Sequence, residues 1–162
     1  APCSIVRTMP NTPSSIGMGM TGLYASADTP QSLKDCAEYV LAQVGEVLWV
    51  ANEEDINTVI AAAGSSPAYL FLFAEAMQAK TEALGLSAED AKRLVAQALA
   101  GAGAMLLANP DTDFGTLREQ VTSKGGTTAQ AIDYFNQAQL ADIIAGAMQA
   151  AVDRAIAMQS SM

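Results

Sequence analysis

The sequence predicts a mainly α-helical domain carrying a short extended or β appendage at its N-terminus. Three observations carry this. Alanine, the strongest helix former, is the commonest residue. Hydrophobic residues make up 51% of the 162 residues and charged ones only 15%. Ordinary soluble domains carry about 25% charged residues, so here most helical faces have to be buried, in the fold or against another subunit. Pro10, Pro13, Gly17, Gly19 and Gly22 break up the N-terminal stretch, and residues beyond 53 are interrupted only at helix-length intervals.

In chain order, residues 4–9 and 20–25 read as short strands or extended pieces. Ser32 is placed to cap a helix over 33–44 that Gly45 ends. Val47-Leu48-Trp49-Val50 suits a short buried strand. Glu53-Glu54-Asp55 puts negative charge into a first turn, where the helix dipole favours it, and that helix runs to Ala63. Gly64-Ser65-Ser66-Pro67 reads as a break, with Pro67 in the first turn of a helix reaching Leu84 and stopping at Gly85. Ser87 with Asp90 resembles a capping box opening a helix to Ala108, before Asn109-Pro110. A short helix is expected over 114–122 and a loop over Ser123-Lys124-Gly125-Gly126. Thr127 or Thr128 starts a last helical region that breaks near Gln137. Ala98 through Ala104 is small nearly all round. Ile144, Met148, Ala151, Ala155, Met158 and Met162 follow steps of four and three, the spacing of packed helix pairs. That seam reads either as internal core or, as we favour, as a dimer interface. No linker divides the chain, so we expect one domain, with residues 1–50 as the end of a preceding α/β region and 51–162 as the helical part.

Composition excludes several chemistries. There is no histidine, hence no Ser-His-Asp triad and no imidazole base. Cys3 and Cys36 lack metal or redox spacing, so no metal is expected. With eight Lys and Arg against 17 Asp and Glu, and a net charge of -9, no basic stripe addresses nucleic acid or an anionic membrane. The uncharged stretch from Ile56 to Ala74 is interrupted by Gly64–Pro67 and is read as two helices, not a membrane span. Two thiols and no secretory pattern point to a cytoplasmic protein. The chain starts at Ala1 without methionine, as if cut from something longer.

Three motifs remain for chemistry. Gly17-Met18-Gly19-Met20-Thr21-Gly22 spells GxGxxG, but a proline-rich turn precedes it and an extended segment follows, so it reads as a structural turn. Ser123 through Thr128 is the better site: two glycines allow close backbone approach, and the following helix aims free N–H groups at a small carboxylate or phosphate. The same pattern also describes an ordinary loop and N-cap. Met9-Pro10-Asn11-Thr12-Pro13 is a rigid turn in which Asn11 caps, turns or binds.

Taken together, the chain resembles the C-terminal half of pyrroline-5-carboxylate reductases. Arg7-Thr8-Met9-Pro10-Asn11-Thr12-Pro13 followed by Gly17, Gly19, Met20 and Thr21 is similar to one family motif. Gly64-Ser65-Ser66-Pro67-Ala68-Tyr69 is similar to GSGPAY, and Val121 through Thr128 to VTSPGGTT. The resemblance implies an enzyme whose N-terminal Rossmann domain, absent from this chain, binds NADPH or NADH and whose helical C-terminal domain forms a homodimer, or an oligomer of dimers, by interlocking helices. The implied reaction is hydride transfer to the C=N carbon of 1-pyrroline-5-carboxylate, giving L-proline. The resemblance further implies that Ser123, Lys124, Gly125, Gly126 and Thr127 hold the substrate carboxylate. Thr128 offers its hydroxyl near the ring nitrogen as the catalytic group. Glu53 approaches the substrate, and Pro10, Asn11 and Gln120 fall near the cofactor. Lys124 and Ser66 replace a proline and a glycine of the signatures, and Asn57 and Ile60 stand where the family often has aspartate and threonine.

By itself the chain is expected not to reduce the imine. Two other readings compete: a non-enzymatic helical assembly module, and the helical half of another NAD(P)-dependent imine or hydroxy-acid reductase.

Overall fold

A computed structural model describes residues 3–159. Three strands form one sheet in the order β1 (Val6–Met9), β2 (Gly19–Ala25), β3 (Gly45–Trp49). β1 runs antiparallel to β2, with Val6 opposite Ala25, and β3 runs parallel to β2, with Gly19 opposite Gly45. A 3-10 turn, Thr12–Ile16, joins the first pair. Helix α1 (Gln31–Leu41) makes the crossover that a parallel pair requires. Ser32 does not cap it. The helix starts one residue earlier, after Pro30, and ends at Leu41 in a 3-10 turn, Ala42–Val44. Gly45 begins β3 instead of merely ending a helix. Its φ of 147° and the closeness of the Gly19 backbone leave no room for a Cβ.

Both faces of the sheet are covered. Thr21 and Leu23 lie buried on one face, where Trp49 Nε1 on β3 donates to Glu38 Oε2 on α1 at 2.8 Å. On the other face Gly22 lies so near α2 (Asp55–Val59) that a Cβ there would sit 2.7 Å from Val59 Cγ1. Ile56, Val59 and Ala61 complete this core.

The Gly64–Pro67 break is milder than the sequence suggests. Pro67 has no N–H for the Ala63 carbonyl four residues back, and its ring would strike that carbonyl in a regular helix. The preceding turn, Ile60–Gly64, widens into a π turn in which Ser65 N donates to Ile60 O at 2.7 Å. The helical path therefore runs from Asp55 to Ala83, and by length and composition it is apolar enough to cross a membrane.

Helices α3 (Ser66–Ala83), α4 (Ala88–Ala108), α5 (Phe114–Gln120), α6 (Thr127–Gln137) and α7 (Leu140–Gln159) follow. Ser87 caps α4 by accepting from Asp90 N at 3.1 Å, and its hydroxyl donates to the Asp90 carboxylate at 2.8 Å. α5 stops at Gln120, two residues before the expected end. The break between α6 and α7 is at Gln139, which takes a φ of 53°.

The chain divides into two compact units, Ala1–Tyr69 with Ala145–Met162, and Leu70–Ile144. Both boundaries fall inside helices, α3 and α7. The boundary expected near residue 50 falls within the first unit. In the second unit the buried apolar residues are Ala91, Val95 and Leu117. Much larger side chains there stay exposed, among them Phe71 and Leu72, both at 68%. Along the expected α7 seam, Ile144 and Met158 are half exposed, and Met162 lies outside the described residues.

Candidate functional site

The segment after α5 is shaped by its hydrogen bonds. Thr122 Oγ1 donates to the Arg118 carbonyl at 2.6 Å and Thr122 N to Glu119 O at 3.0 Å, so the helix end is closed by its own chain. A tight turn follows, with Gly126 N donating to Ser123 O at 3.0 Å. The two glycines serve different needs. Gly125 adopts a φ of 73°, the left-handed region that disfavours side chains, whereas a Cβ on Gly126 would lie 2.6 Å from Ser123 Oγ. Gly126 is the N-cap of α6, and no side chain caps that end. The first helical bond seen from it is Gln130 N to Gly126 O at 3.3 Å. The amides of Thr127, Thr128 and Ala129 are thus the unspent donors of a helix start, and they face the positive end of the dipole.

Around them the geometry is open. Ser123, Lys124, Gly125, Thr127 and Thr128 are exposed and Gly126 half-buried. Gln120, the last residue of α5, is exposed as well. The structure therefore gathers the expected residues 120 and 123–128 into one continuous stretch of the second unit. Two backbone amides and a hydroxyl at a helix start can hold a carboxylate and donate one further hydrogen bond beside it.

The other expected residues belong to the first unit. Glu53 precedes α2, and its Oε1 accepts from Arg7 Nη1 on β1 at 2.9 Å, an ion pair with side chains 33% exposed for Arg7 and 54% for Glu53. Sequence reasoning placed Arg7 in a motif without giving it this role; the partners are 46 positions apart and no spacing links them. Pro10 is exposed. Asn11 uses both ends of its amide: Oδ1 accepts from Met20 N at 2.9 Å and Nδ2 donates to Ala63 O at 3.1 Å. One N–H of the amide is left for anything else. Asn57, where an aspartate was expected, is buried and accepts from Gln159 Nε2 of α7 at 3.0 Å.

The residues of this chain do not fit a dinucleotide cradle. Gly19 opens β2 against Ser14 and Gly22 lies within the same strand against Val59, so both glycines are used for packing and no helix starts inside the GxGxxG stretch. Among the described residues no group of three His, Cys, Asp or Glu is arranged to hold a metal ion.

Comparison with known proteins adds the lineage. The family described as pyrroline-5-carboxylate reductase dimerisation matches residues 53–158. A pyrroline-5-carboxylate reductase of Vibrio alginolyticus is 55% identical over 156 residues, covering 96% of this chain and 57% of the relative. One of Pasteurella multocida is 46% identical over 155 residues, covering 96% and 56%. Among solved structures, the Coxiella burnetii pyrroline-5-carboxylate reductase superposes with a TM-score of 0.89 at 44% identity, covering 94% of this chain and 56% of that one. A Plasmodium falciparum pyrroline carboxylate reductase with NADP bound gives 0.87 at 28% identity, covering 96% and 58%. The chain spans somewhat more than half the length of these relatives. The glycine turn into α6, the Asn11 clasp and the helical run after residue 53 thus sit in a chain alike in sequence and in fold to these enzymes, and the chain belongs to the pyrroline-5-carboxylate reductase family.

Proposed function

We propose that this chain is the dimerising, substrate-holding part of an enzyme that reduces 1-pyrroline-5-carboxylate to L-proline with NADPH or NADH. The observation that carries the reading is the Ser123–Gly126 turn delivering unpaired amides at the start of α6, in a chain of this family.

The chemistry asks little of a protein base. A cyclic imine that carries a proton is already electrophilic, and the acceptor carbon needs chiefly to be held still and turned toward the hydride. The nicotinamide supplies that hydride when bound, and we assign its binding to the part of the relatives' length that this chain does not cover. The backbone amides around Gly126 and Thr127 hold the carboxylate, and Lys124, exposed and without an ion pair among the described residues, adds a positive charge beside them. Thr128 places a hydroxyl one residue further along the first turn, where it hydrogen-bonds the ring nitrogen and fixes which face of the imine is presented. Glu53 enters the reading through its ion pair with Arg7, and Pro10, Asn11 and Gln120 through the turn and helix end they hold. The exposed apolar helices form the subunit interface of a homodimer in the cytoplasm.

The test joins this chain to the portion of the Vibrio alginolyticus enzyme that it does not cover. The chimera oxidises NADPH with pyrroline-5-carboxylate, whereas the chain alone does not. Thr128→Ala in the chimera lowers kcat/KM by roughly ten- to a hundredfold, about 1.4–2.7 kcal/mol, the range of one lost hydrogen bond in the transition state. An inactive chimera that binds NADPH and stays dimeric favours a pure assembly module, and an unchanged Thr128→Ala removes that residue from the reading.

A further inference from the structure

Two hollows adjoin in the first unit, and the candidate loop contributes to neither. One of about 410 Å³ has Arg7, Arg154 and Ser65 at its rim, with walls from Ile60, Ala151 and Ala155. The other, about 300 Å³, is bounded by Arg7, Glu53, Glu54 and Gln159. Arg7 and Gln159 border both.

Arg154 stands out among the four arginines. The other three each have an ion pair among the described residues, and Arg154 has none, although acidic groups outnumber cationic ones 17 to 8. Arg7 spends one guanidinium nitrogen on Glu53 and keeps the remaining donors of its fork. Glu54, exposed at the start of α2, has no ion pair among the described residues either. The rim thus carries two guanidiniums, two carboxylates and no net charge, with the signs separated across Arg7. A lone anion or a lone cation would leave one pair unmatched. A zwitterion matches both, and the short walls of Ile60, Ala151 and Ala155 accept an aliphatic body of a few carbons.

We propose that these joined hollows bind a small aliphatic α-amino acid. Its carboxylate lies between Arg154 and Arg7, its ammonium group faces Glu54 and Glu53, and its side chain rests on Ile60, Ala151 and Ala155. The site shares no residue with the Ser123–Thr128 loop, so its occupancy is separable from substrate binding.

Calorimetric titration of this chain with three probes tests the assignment: L-valine, isovalerate, which lacks the ammonium group, and isobutylamine, which lacks the carboxylate. The expected result is saturable binding of L-valine, with isovalerate and isobutylamine weaker by about tenfold or more, the effect of one charge-assisted hydrogen bond. Arg154→Gln weakens L-valine by about the same factor. Glu54→Gln brings L-valine down to the level of isovalerate and leaves isovalerate unchanged. Thr128→Ala leaves L-valine binding as it is. Both rim variants alter exposed side chains, and circular dichroism confirms their fold before titration. No saturable L-valine binding overturns the proposal, as does binding indifferent to Arg154→Gln. Isovalerate as tight as L-valine shows a simple anion site, and loss of L-valine binding in Thr128→Ala moves the ligand to the loop; either result overturns it too.

Discussion

Asp28 has the one carboxyl group whose titration the structure clearly moves. The Ser26 hydroxyl, and after it the backbone beside Asp28, stabilise the carboxylate and hold it below its ordinary 3.8. A depressed folded value stabilises the fold above the unfolded value, and the contribution is lost as pH falls through the folded one. The loss therefore belongs to the acid side of 3.8 and leaves neutral pH untouched. Ser26→Ala is expected to return Asp28 toward 3.8, read from its carboxyl carbon shift in a pH titration; a titration that does not move assigns the effect to the backbone alone. Local contacts of this kind are what a sequence displays best. Ser87 with Asp90, three apart, was readable as a cap because both partners lie in one turn. Ser32 was not, because Pro30 starts α1 one residue earlier and leaves Ser32 inside the first turn. At the candidate loop the two glycines and the helix start were legible for the same local reason. The Arg7–Glu53 pair was hidden because it is made by a strand and a helix 46 positions apart.

At the scale of elements, the π turn shows how a fold satisfies a group that the sequence leaves stranded. Pro67 releases the Ala63 carbonyl, and two donors take it up: Asn11 Nδ2 at 3.1 Å and Ser66 Oγ at 3.3 Å. Ser66 is near in sequence, but Asn11 comes from the turn after β1, 52 positions away. The break itself was legible in Gly64-Ser65-Ser66-Pro67. Its form, a widened turn inside a continuing helix, depended on a donor that only tertiary folding delivers. Asn11 also accepts from Met20 N, so a single side chain ties the entry of β2 to the end of the π turn. Asn11→Ala leaves a half-buried N–H without its partner and weakens the hold on Ala63, at a cost of about 1–3 kcal/mol. Ser66→Ala costs less, because Asn11 still holds the carbonyl. Urea denaturation of the two variants gives the ranking, and faster amide exchange at Met20 in Asn11→Ala alone shows that the clasp is the cause. Equal losses in both variants would mean that the carbonyl, and not the clasp, sets the stability.

For the whole molecule the central fact is how much apolar surface the second unit leaves uncovered. Leu70, Phe71, Leu72 and Phe73 are consecutive on α3, so at a helical turn of 3.6 residues they point all round the axis. Phe73 meets Phe135 of α6 with ring centroids 6.2 Å apart, while Leu70, Phe71 and Leu72 are 56–68% exposed. A helix apolar on every face is stable in water only when other helices surround it, and three buried apolar residues cannot supply that surround. Two environments would: a second copy of the chain, or a lipid bilayer, for which the Asp55–Ala83 run is long enough. Membership of a family whose matched region is a dimerisation region favours the second copy. Small residues along α4, from Ala98 to Ala104, support it further, since among the described residues nothing lies within 4 Å of where Cβ atoms on Gly101 and Gly103 would stand, leaving room for another helix to approach closely. The expected outcome is a chain that migrates at twice its own mass in buffer without detergent and does not partition onto lipid vesicles. Leu72→Asp buries a carboxylate in that interface and weakens dimerisation by about 2–4 kcal/mol, enough to yield monomer at micromolar concentration by light scattering. An exposed position such as Glu89, at the start of α4, serves as the control that leaves the dimer intact. Retention of the dimer in Leu72→Asp would place the interface elsewhere on the helices, and vesicle binding that Leu72→Asp abolishes would make lipid, not a second copy, the partner of this face.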